Sequence, residues 1–239
     1  MKIKVIILSI PIFLSACTPT EHYSESNMSL FAAVYGFEAI EGPVKELHFD
    51  AKAANNVDLI TVQASFDHKG CLSSLSVDGE VNSKVVLKKI DGKLSGVDNG
   101  KKVIFELGEH CVILNKKAED GNILKQFTYD ENHRLSIDNS FDEGRLRKYS
   151  YDASGKRISG IETIQGGTVI DKVVMHYKDP ENKYLDYFAD GNGPLFGRTG
   201  IKITCQYHDK TPTKCQAGYA FLKDNLFIKA SVDIKTTFY

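Results

Sequence analysis

The chain has 239 residues, 42% of them hydrophobic and 26% charged, with 30 Lys and Arg against 31 Asp and Glu. That composition is ordinary for a globular chain and supplies enough apolar side chains for a sizeable core. A net charge of −1 argues against a nucleic-acid binder and against polybasic docking to a membrane.

The start of the chain reads as an export signal. Lys2 and Lys4 precede an apolar run from Val5 to Leu14, which is too short to span a bilayer. The run ends in Leu14-Ser15-Ala16-Cys17. Two small residues before a cysteine, with Leu at the third position, resemble the lipobox of bacterial lipoprotein signals. The resemblance implies a signal peptide over residues 1–16, cleaved before Cys17, with an S-diacylglycerol and an N-acyl group on that cysteine. Several acyl chains hold a protein firmly where one holds it marginally. Thr18 occupies the position at which such lipoproteins usually carry Asp when retained in the inner membrane, so the expected location is the outer membrane, facing the periplasm. Thirty basic residues less Lys2 and Lys4 leave 28 against 31 acidic ones, a net −3 over residues 17–239.

Residues 17–40 read as the lipidated cysteine, a polar tether containing Pro19, and an apolar stretch, Met28 to Ile40, that predicts a short helix limited by Gly36. Gly42-Pro43 marks a turn, and a single β-rich domain is expected over 41–239. Ile60, Val62, Ala64 and Phe66 alternate with Thr61, Gln63 and Ser65, the pattern of a half-buried strand. Leu75–Val77, Val85–Leu87 and Val103–Leu107 predict further strands, punctuated by Asp78-Gly79, Asp91-Gly92 and Asn99-Gly100. Gly166-Gly167 introduces the strand Val169–Tyr177. Asp179 to Pro194 reads as a loop with local aromatic packing from Tyr184, Tyr187 and Phe188. Alternation resumes at Ile201–Tyr207 and Ile228–Ile234. The fold expected is mainly β, an antiparallel meander of hairpins forming a twisted open sheet or a partly closed barrel.

One phrase recurs along the chain: an aromatic, an Asp, a tight turn, then an aliphatic. Tyr151-Asp152-Ala153-Ser154-Gly155-Lys156-Arg157-Ile158 is its fullest copy. Looser copies begin at Phe66-Asp67, Tyr129-Asp130 and Phe141-Asp142. Asp bonds its own turn backbone and a Gly or Asn takes the left-handed position, so the phrase predicts tandem hairpins. Over residues 127–178 it resembles the tyrosine-aspartate hairpin repeats of large bacterial shell and wall proteins, which informs fold rather than function.

Besides Cys17 there are Cys71, Cys111, Cys205 and Cys215, which in an oxidising compartment allow three pairings. Cys205 and Cys215 flank a hairpin loop, and their local pairing leaves Cys71 with Cys111. A competing reading groups His68, Cys71, His110 and Cys111 as zinc ligands, without the compact spacing of such sites. Asp138–Glu143 and Asp186–Asn192 carry oxygen ligands suited to calcium, though turn chemistry explains the same residues. Gly191-Asn192-Gly193-Pro194 is not followed by a helix pattern, against a phosphate cradle. The chain has no nucleophile elbow, metalloprotease helix or P-loop, and neither catalytic residues nor a cofactor or metal are expected.

Taken together, the lipobox at Cys17, Gly42-Pro43-Val44-Lys45, Gly70-Cys71 with Ser74-Leu75, Cys111, Cys205-Gln206-Tyr207, Cys215-Gln216 and the end at Phe238-Tyr239 resemble the YnfC family of uncharacterised bacterial lipoproteins. That family's Cys-Glu-Tyr-Asp motif is here Cys205-Gln206-Tyr207-His208-Asp209, so a role for that acidic pair is not carried over. The resemblance implies anchoring, paired cysteines and one β-rich domain, and carries no activity. The leading expectation is a lipid-anchored, non-enzymatic envelope module that binds a protein or other envelope component through a sheet face or edge. The alternatives are a carrier or sensor of an apolar ligand inside a curved sheet, and an enzyme acting on the envelope.

Overall fold

The structure, a computed structural model, describes residues 23–79, 83–194, 197–223 and 225–239. Helix α1 (Ser26–Tyr35) precedes β1 (Val44–Ala53), β2 (Asp58–Phe66), β3 (Leu72–Gly79), β4 (Ser83–Ile90), β5 (Lys93–Asp98) and β6 (Lys101–Leu107). After a short 3-10 turn, Glu109–Cys111, come β7 (Ile113–Ala118), β8 (Ile123–Tyr129), β9 (Leu135–Ser140), β10 (Arg145–Tyr151) and β11 (Ile158–Gln165). The chain ends with β12 (Thr168–Tyr177), β13 (Tyr187–Gly193), β14 (Gly197–His208), β15 (Thr211–Phe221) and β16 (Leu226–Phe238). Each strand pairs antiparallel with its sequence neighbours, and β1 pairs with β16, from Val44 opposite Phe238 to Ala53 opposite Ala230. The meander expected from the hairpins is therefore a fully closed barrel. Closure leaves no free strand edge, so the edge form of partner docking falls away.

Period-two alternation sets the two faces of the wall. Leu47, Ala64, Leu75, Leu87, Gly96 and Val103 are successive register partners on adjacent strands and face inward. Outward positions on the same strands include Glu46, Gln63, Asp78, Lys84, Lys88 and Lys102. Apolar inside and charged outside is the inverse of a barrel whose wall faces lipid.

A sixteen-stranded barrel is too wide for its own wall side chains to fill. Here α1 fills it. Its sequence, SNMSLFAAVY, has no polar stripe, and a helix apolar all round is stable only when enclosed. Met28, Leu30 and Phe31 are each 1% exposed. Phe31 stacks on Tyr35 with centroids 6.1 Å apart and meets the edge of Phe105 at 5.9 Å. Gly36, in the left-handed conformation at φ 75°, ends the helix and donates its N–H to the Ala32 carbonyl at 2.9 Å. Phe37 and Ile40 continue in the core. Residues 26–40, expected to precede the β-rich domain, share one buried cluster with its strands through Met28, Leu30, Phe31, Phe37 and Ile40.

The segment expected to be a loop over 179–194 contains strand β13, bonded on both sides by β12 and β14. Its glycines do not mark a turn. A Cβ on Gly191 would lie 2.2 Å from Thr199 Oγ1, and one on Gly193 would lie 2.4 Å from the Ile170 carbonyl oxygen. Close approach of neighbouring strands, not chain reversal, selects glycine there.

Two disulfides join Cys71 to Cys111 and Cys205 to Cys215. The first ties the β2–β3 turn to the β6–β7 connection, and a cross-link of that span is worth about 2–4 kcal/mol. The second links register partners on β14 and β15. With both of their sulfurs in a disulfide, Cys71 and Cys111 are not thiolate ligands, which removes the zinc reading. Asp138, assigned above to a possible calcium loop, is instead a buried residue of β9.

The packing of α1 carries a testable cost. Phe31→Ala should destabilise the protein by about 3–5 kcal/mol in urea unfolding, the range for deleting an enclosed aromatic. A loss below about 1 kcal/mol would mean that the helix does not fill the barrel.

Candidate functional site

In an up-and-down barrel every second connection falls at the same end. The turns after β2, β6, β8, β10 and β14, with the longer β12–β13 connection, share one rim with the entry of α1 and the start of β1. The recurring aromatic-Asp phrase builds three of these turns. Asp67 Oδ1 accepts the backbone N–H groups of Lys69 and Cys71, both at 3.0 Å. Asp130 Oδ1 accepts those of Asn132 and Arg134 at 2.9 and 3.0 Å. In the third, one residue longer, the Asp152 carbonyl accepts the Gly155 N–H at 2.9 Å. Gly70, His133 and Gly155, each three residues after the Asp, have φ of 82°, 59° and 72°. Burial pushes the Asp130 carboxyl up, but the Arg134 side chain and the turn amides outweigh it and hold Asp130 below the usual carboxylate range.

The aromatic of the phrase has a separate task. Tyr129 donates its hydroxyl to the Ile113 carbonyl, Tyr151 to Leu135 and Tyr177 to Ile158, at 2.8, 2.9 and 2.8 Å. Each tyrosine ends an upward strand and stitches it to the first residue of the preceding downward strand.

Within the rim lies a mouth of about 1770 Å³. Its floor is the N-terminal segment from Tyr23 to Ser29, and its wall includes Lys69, His110, His133, Arg134, Lys156 and Lys210. Acidic residues share that wall: Glu25, Glu41, Glu109, Asp152, Glu181 and Asp209. The segment is fastened firmly. Tyr23 donates its hydroxyl to the Val44 carbonyl at 2.9 Å, Ser24 N–H bonds the Lys69 carbonyl at 3.0 Å, and Ser26 Oγ donates to the His133 carbonyl at 2.8 Å. Gly70 is required by this contact, since a Cβ on it would lie 2.1 Å from the Ser24 carbonyl oxygen. Asn27 Nδ2 donates to the Gly70 carbonyl at 3.1 Å and lies 3.4 Å from Cys111 Sγ, docking α1 on the disulfide.

Two guanidinium groups order the wall. Arg134 Nε bonds Asp130 at 2.7 Å, its Nη1 bonds the Gly155 carbonyl at 3.1 Å, and its plane covers the Tyr151 ring at 4.5 Å. Arg157 pairs with Glu41 at 2.7 Å and Asp152 at 3.4 Å. Burial pushes the Glu41 carboxyl up, and Arg157 draws it partly back. The arrangement offers many donors and acceptors on an ordered frame, suited to holding a polar ligand or a polypeptide surface.

Deeper in the barrel, polar groups replace apolar ones on β5 and β7–β10. Lys116 Nζ meets Asp98 Oδ2 at 2.5 Å, and Tyr35 donates its hydroxyl to the same oxygen at 2.8 Å. Asp138 is 1% exposed, lies 3.8 Å from Arg147, and has no hydrogen-bond donor on either carboxylate oxygen. Burial pushes its pKa up against the pull of Lys125 and Arg147. Glu38, inside the barrel and partly accessible, accepts the Tyr187 hydroxyl at 2.8 Å.

Among the residues expected to matter, Cys17 lies outside the described residues. The four other cysteines form two separate disulfides, one at the mouth and one in the wall. Among the described residues no three His, Cys, Asp or Glu side chains are grouped to hold a metal ion. The mouth itself was not foreseen. Its sequence signal is the return of the Asp turn after β2, β8 and β10, which places those three copies at one end, while the Phe141-Asp142 copy, after β9, falls at the other.

Comparison with known families assigns the chain. A family model for an uncharacterised protein family, UPF0257, matches residues 1–235. The chain belongs to that family. No curated protein matches it. A chain from the structure of a Photorhabdus luminescens Tc holotoxin pore is similar at 9% identity, over 74% of this chain and 15% of that one, with a TM-score of 0.25. This chain thus corresponds to a small part of that one, and the likeness is too loose to carry a reading.

Glu38 provides a pH test. Burial raises its carboxyl above the usual value, with the Tyr187 hydroxyl opposing. The folded state therefore binds this proton more tightly than the unfolded state. Stability is lost as pH rises from about 4.3 through the raised value. Glu38→Gln keeps a hydroxyl acceptor and should melt higher than wild type at pH 7, with the gap closing toward pH 4. Thermal melts across that range decide, and a gap independent of pH would rule the reading out.

Proposed function

We propose that the chain is a lipid-anchored cell-envelope protein that serves as a non-enzymatic binding module on the periplasmic face of a membrane, the outer membrane rather than the inner. The observation that carries this is the mouth, an ordered concavity of about 1770 Å³ that carries charged groups of both signs and whose floor is the segment that follows the proposed anchor at Cys17. Residues 18–22 join the two, and five residues reach at most roughly 18 Å. Anchoring by residue type rests on Leu14-Ser15-Ala16-Cys17 alone.

The carrier reading is weaker in this fold. An apolar ligand inside the barrel would need the space that Met28, Leu30, Phe31 and Ile40 occupy. An acyl chain in the mouth would leave Lys69, Arg134, Lys156, Glu41 and Glu109 of its lining without a role.

The test compares wild type with Cys17→Ser in cells. Wild type should incorporate labelled palmitate, sediment with membranes and, on in-cell crosslinking, capture an envelope partner. Cys17→Ser should lose the label and the sedimentation. Equal membrane attachment of the two chains would end the anchor reading, and failure of the anchored chain to crosslink to any envelope component would end the binding reading.

A further inference from the structure

Four adjacent strands, β13 to β16, carry on their outward face a groove of about 460 Å³. One row across it is Phe188, Lys202, Gly218 and Lys229, successive register partners. The next row is Asp190, Gly200, Ala220 and Phe227. The two phenylalanines thus stand on the outermost strands, with glycine, glycine and alanine between them. Phe188 is 43% and Phe227 60% exposed, against the ordinary tendency of such rings to be covered.

The rings lean inward over the floor. A Cβ on Gly200 would lie 3.7 Å from the Phe188 ring, and one on Gly218 would lie 3.5 Å from the Phe227 ring. Both distances are ordinary contacts, and neither glycine has a positive φ. Backbone and packing would therefore accept a Cβ at either position, unlike at Gly191 or Gly193. Rings over strand glycines shield the backbone, which accounts for their tilt. It does not account for two exposed rings flanking one groove.

The remaining wall is polar and cationic. Thr204 and Gln216, register partners, close one end with hydroxyl and amide groups. Among the described residues, neither Lys202 nor Lys229 has a carboxylate within ion-pair distance. Lys229 Nζ sits 5.9 Å from the centroid of the Phe227 ring. Ring faces suit the C–H faces of pyranose sugars, the hydroxyl and amide suit sugar hydroxyls, and two unpaired ammonium groups suit carboxylates. An acyl chain would leave Thr204, Gln216 and both lysines without a role.

We propose that this groove binds a carboxylate-bearing glycan, with sugar rings between Phe188 and Phe227 and acidic groups on Lys202 and Lys229. The inference gives the binding reading above a ligand class and a surface. It does not depend on the anchor or on what the mouth holds, so loss of membrane attachment would leave it standing.

The experiment titrates the purified full chain with tetragalacturonate, with neutral maltotetraose and with tetraglutamate, followed by calorimetry. Tetragalacturonate should bind, and Phe188→Ala, Phe227→Ala and the Lys202→Gln/Lys229→Gln pair should each weaken it by about tenfold or more. Gly218→Thr should abolish binding by filling the floor while leaving Tm unchanged or higher, because threonine favours a strand where glycine does not. The lysine pair, exposed and unpaired, tests the groove independently should Gly218→Thr fail to fold. No binding of tetragalacturonate, equal binding of maltotetraose, tighter binding of tetraglutamate, or binding indifferent to these substitutions would each overturn the proposal.

Discussion

The structure depends on filling a closed sheet that is too wide for its own side chains. Sixteen strands remove every sheet edge but enclose a volume that wall residues alone leave empty. Helix α1 resolves this by entering at the rim and packing Met28, Leu30 and Phe31 on the inward faces of the strands. The helix and the wall need one another: its sequence has no face for water, and among the described residues no other helix enters that space. The bonds from Tyr23, Ser24, Ser26 and Asn27 to rim residues then become registration devices, fixing how far the helix enters.

The interior is not uniformly apolar. Where α1 meets β5 and β7, the Tyr35 hydroxyl and the Lys116 ammonium converge on Asp98. Such a pair contributes little net stability against an apolar replacement, yet loss of one member alone leaves a stranded charge. It therefore distinguishes the correct rotation of the helix from others of similar apolar content. Asp138, with three cations around it and no donor on its oxygens, lacks that satisfaction, and burial accordingly favours its neutral form.

Much of the wall was legible from residues alone. Alternation from Ile60 to Phe66 and from Ile201 to Tyr207, and Asp with Gly in the turns, name strands and reversals through local chemistry. The aromatic-Asp phrase was legible as hairpins, though its two residues work separately, Asp on the turn and Tyr on the preceding strand. What local patterns conceal is purpose at a distance. Lys116, Lys125 and Asp138 face inward and break the apolar alternation of β7–β9. Gly191 and Gly193 look like a turn because the atoms that exclude a side chain, on Thr199 and Ile170, come from other strands. The mouth joins Lys69, His110 and Asp209, whose proximity exists only after closure.

The pairing of β1 with β16 also fixes when the molecule becomes a molecule. Val44 waits for Phe238, and Tyr239 extends the seam, with its N–H on the Pro43 carbonyl at 3.0 Å and its hydroxyl on the Phe66 carbonyl at 2.6 Å. Hairpins can form in order as the chain lengthens, but the loop that the seam closes spans almost the whole sequence, and its entropy is recovered last. Until then β1 is an open template, and α1 is an apolar segment enclosed on fewer sides. Without β16 the sheet is thus left with two sticky borders rather than a slightly smaller barrel, which makes its docking on β1 the step that separates assembly from aggregation.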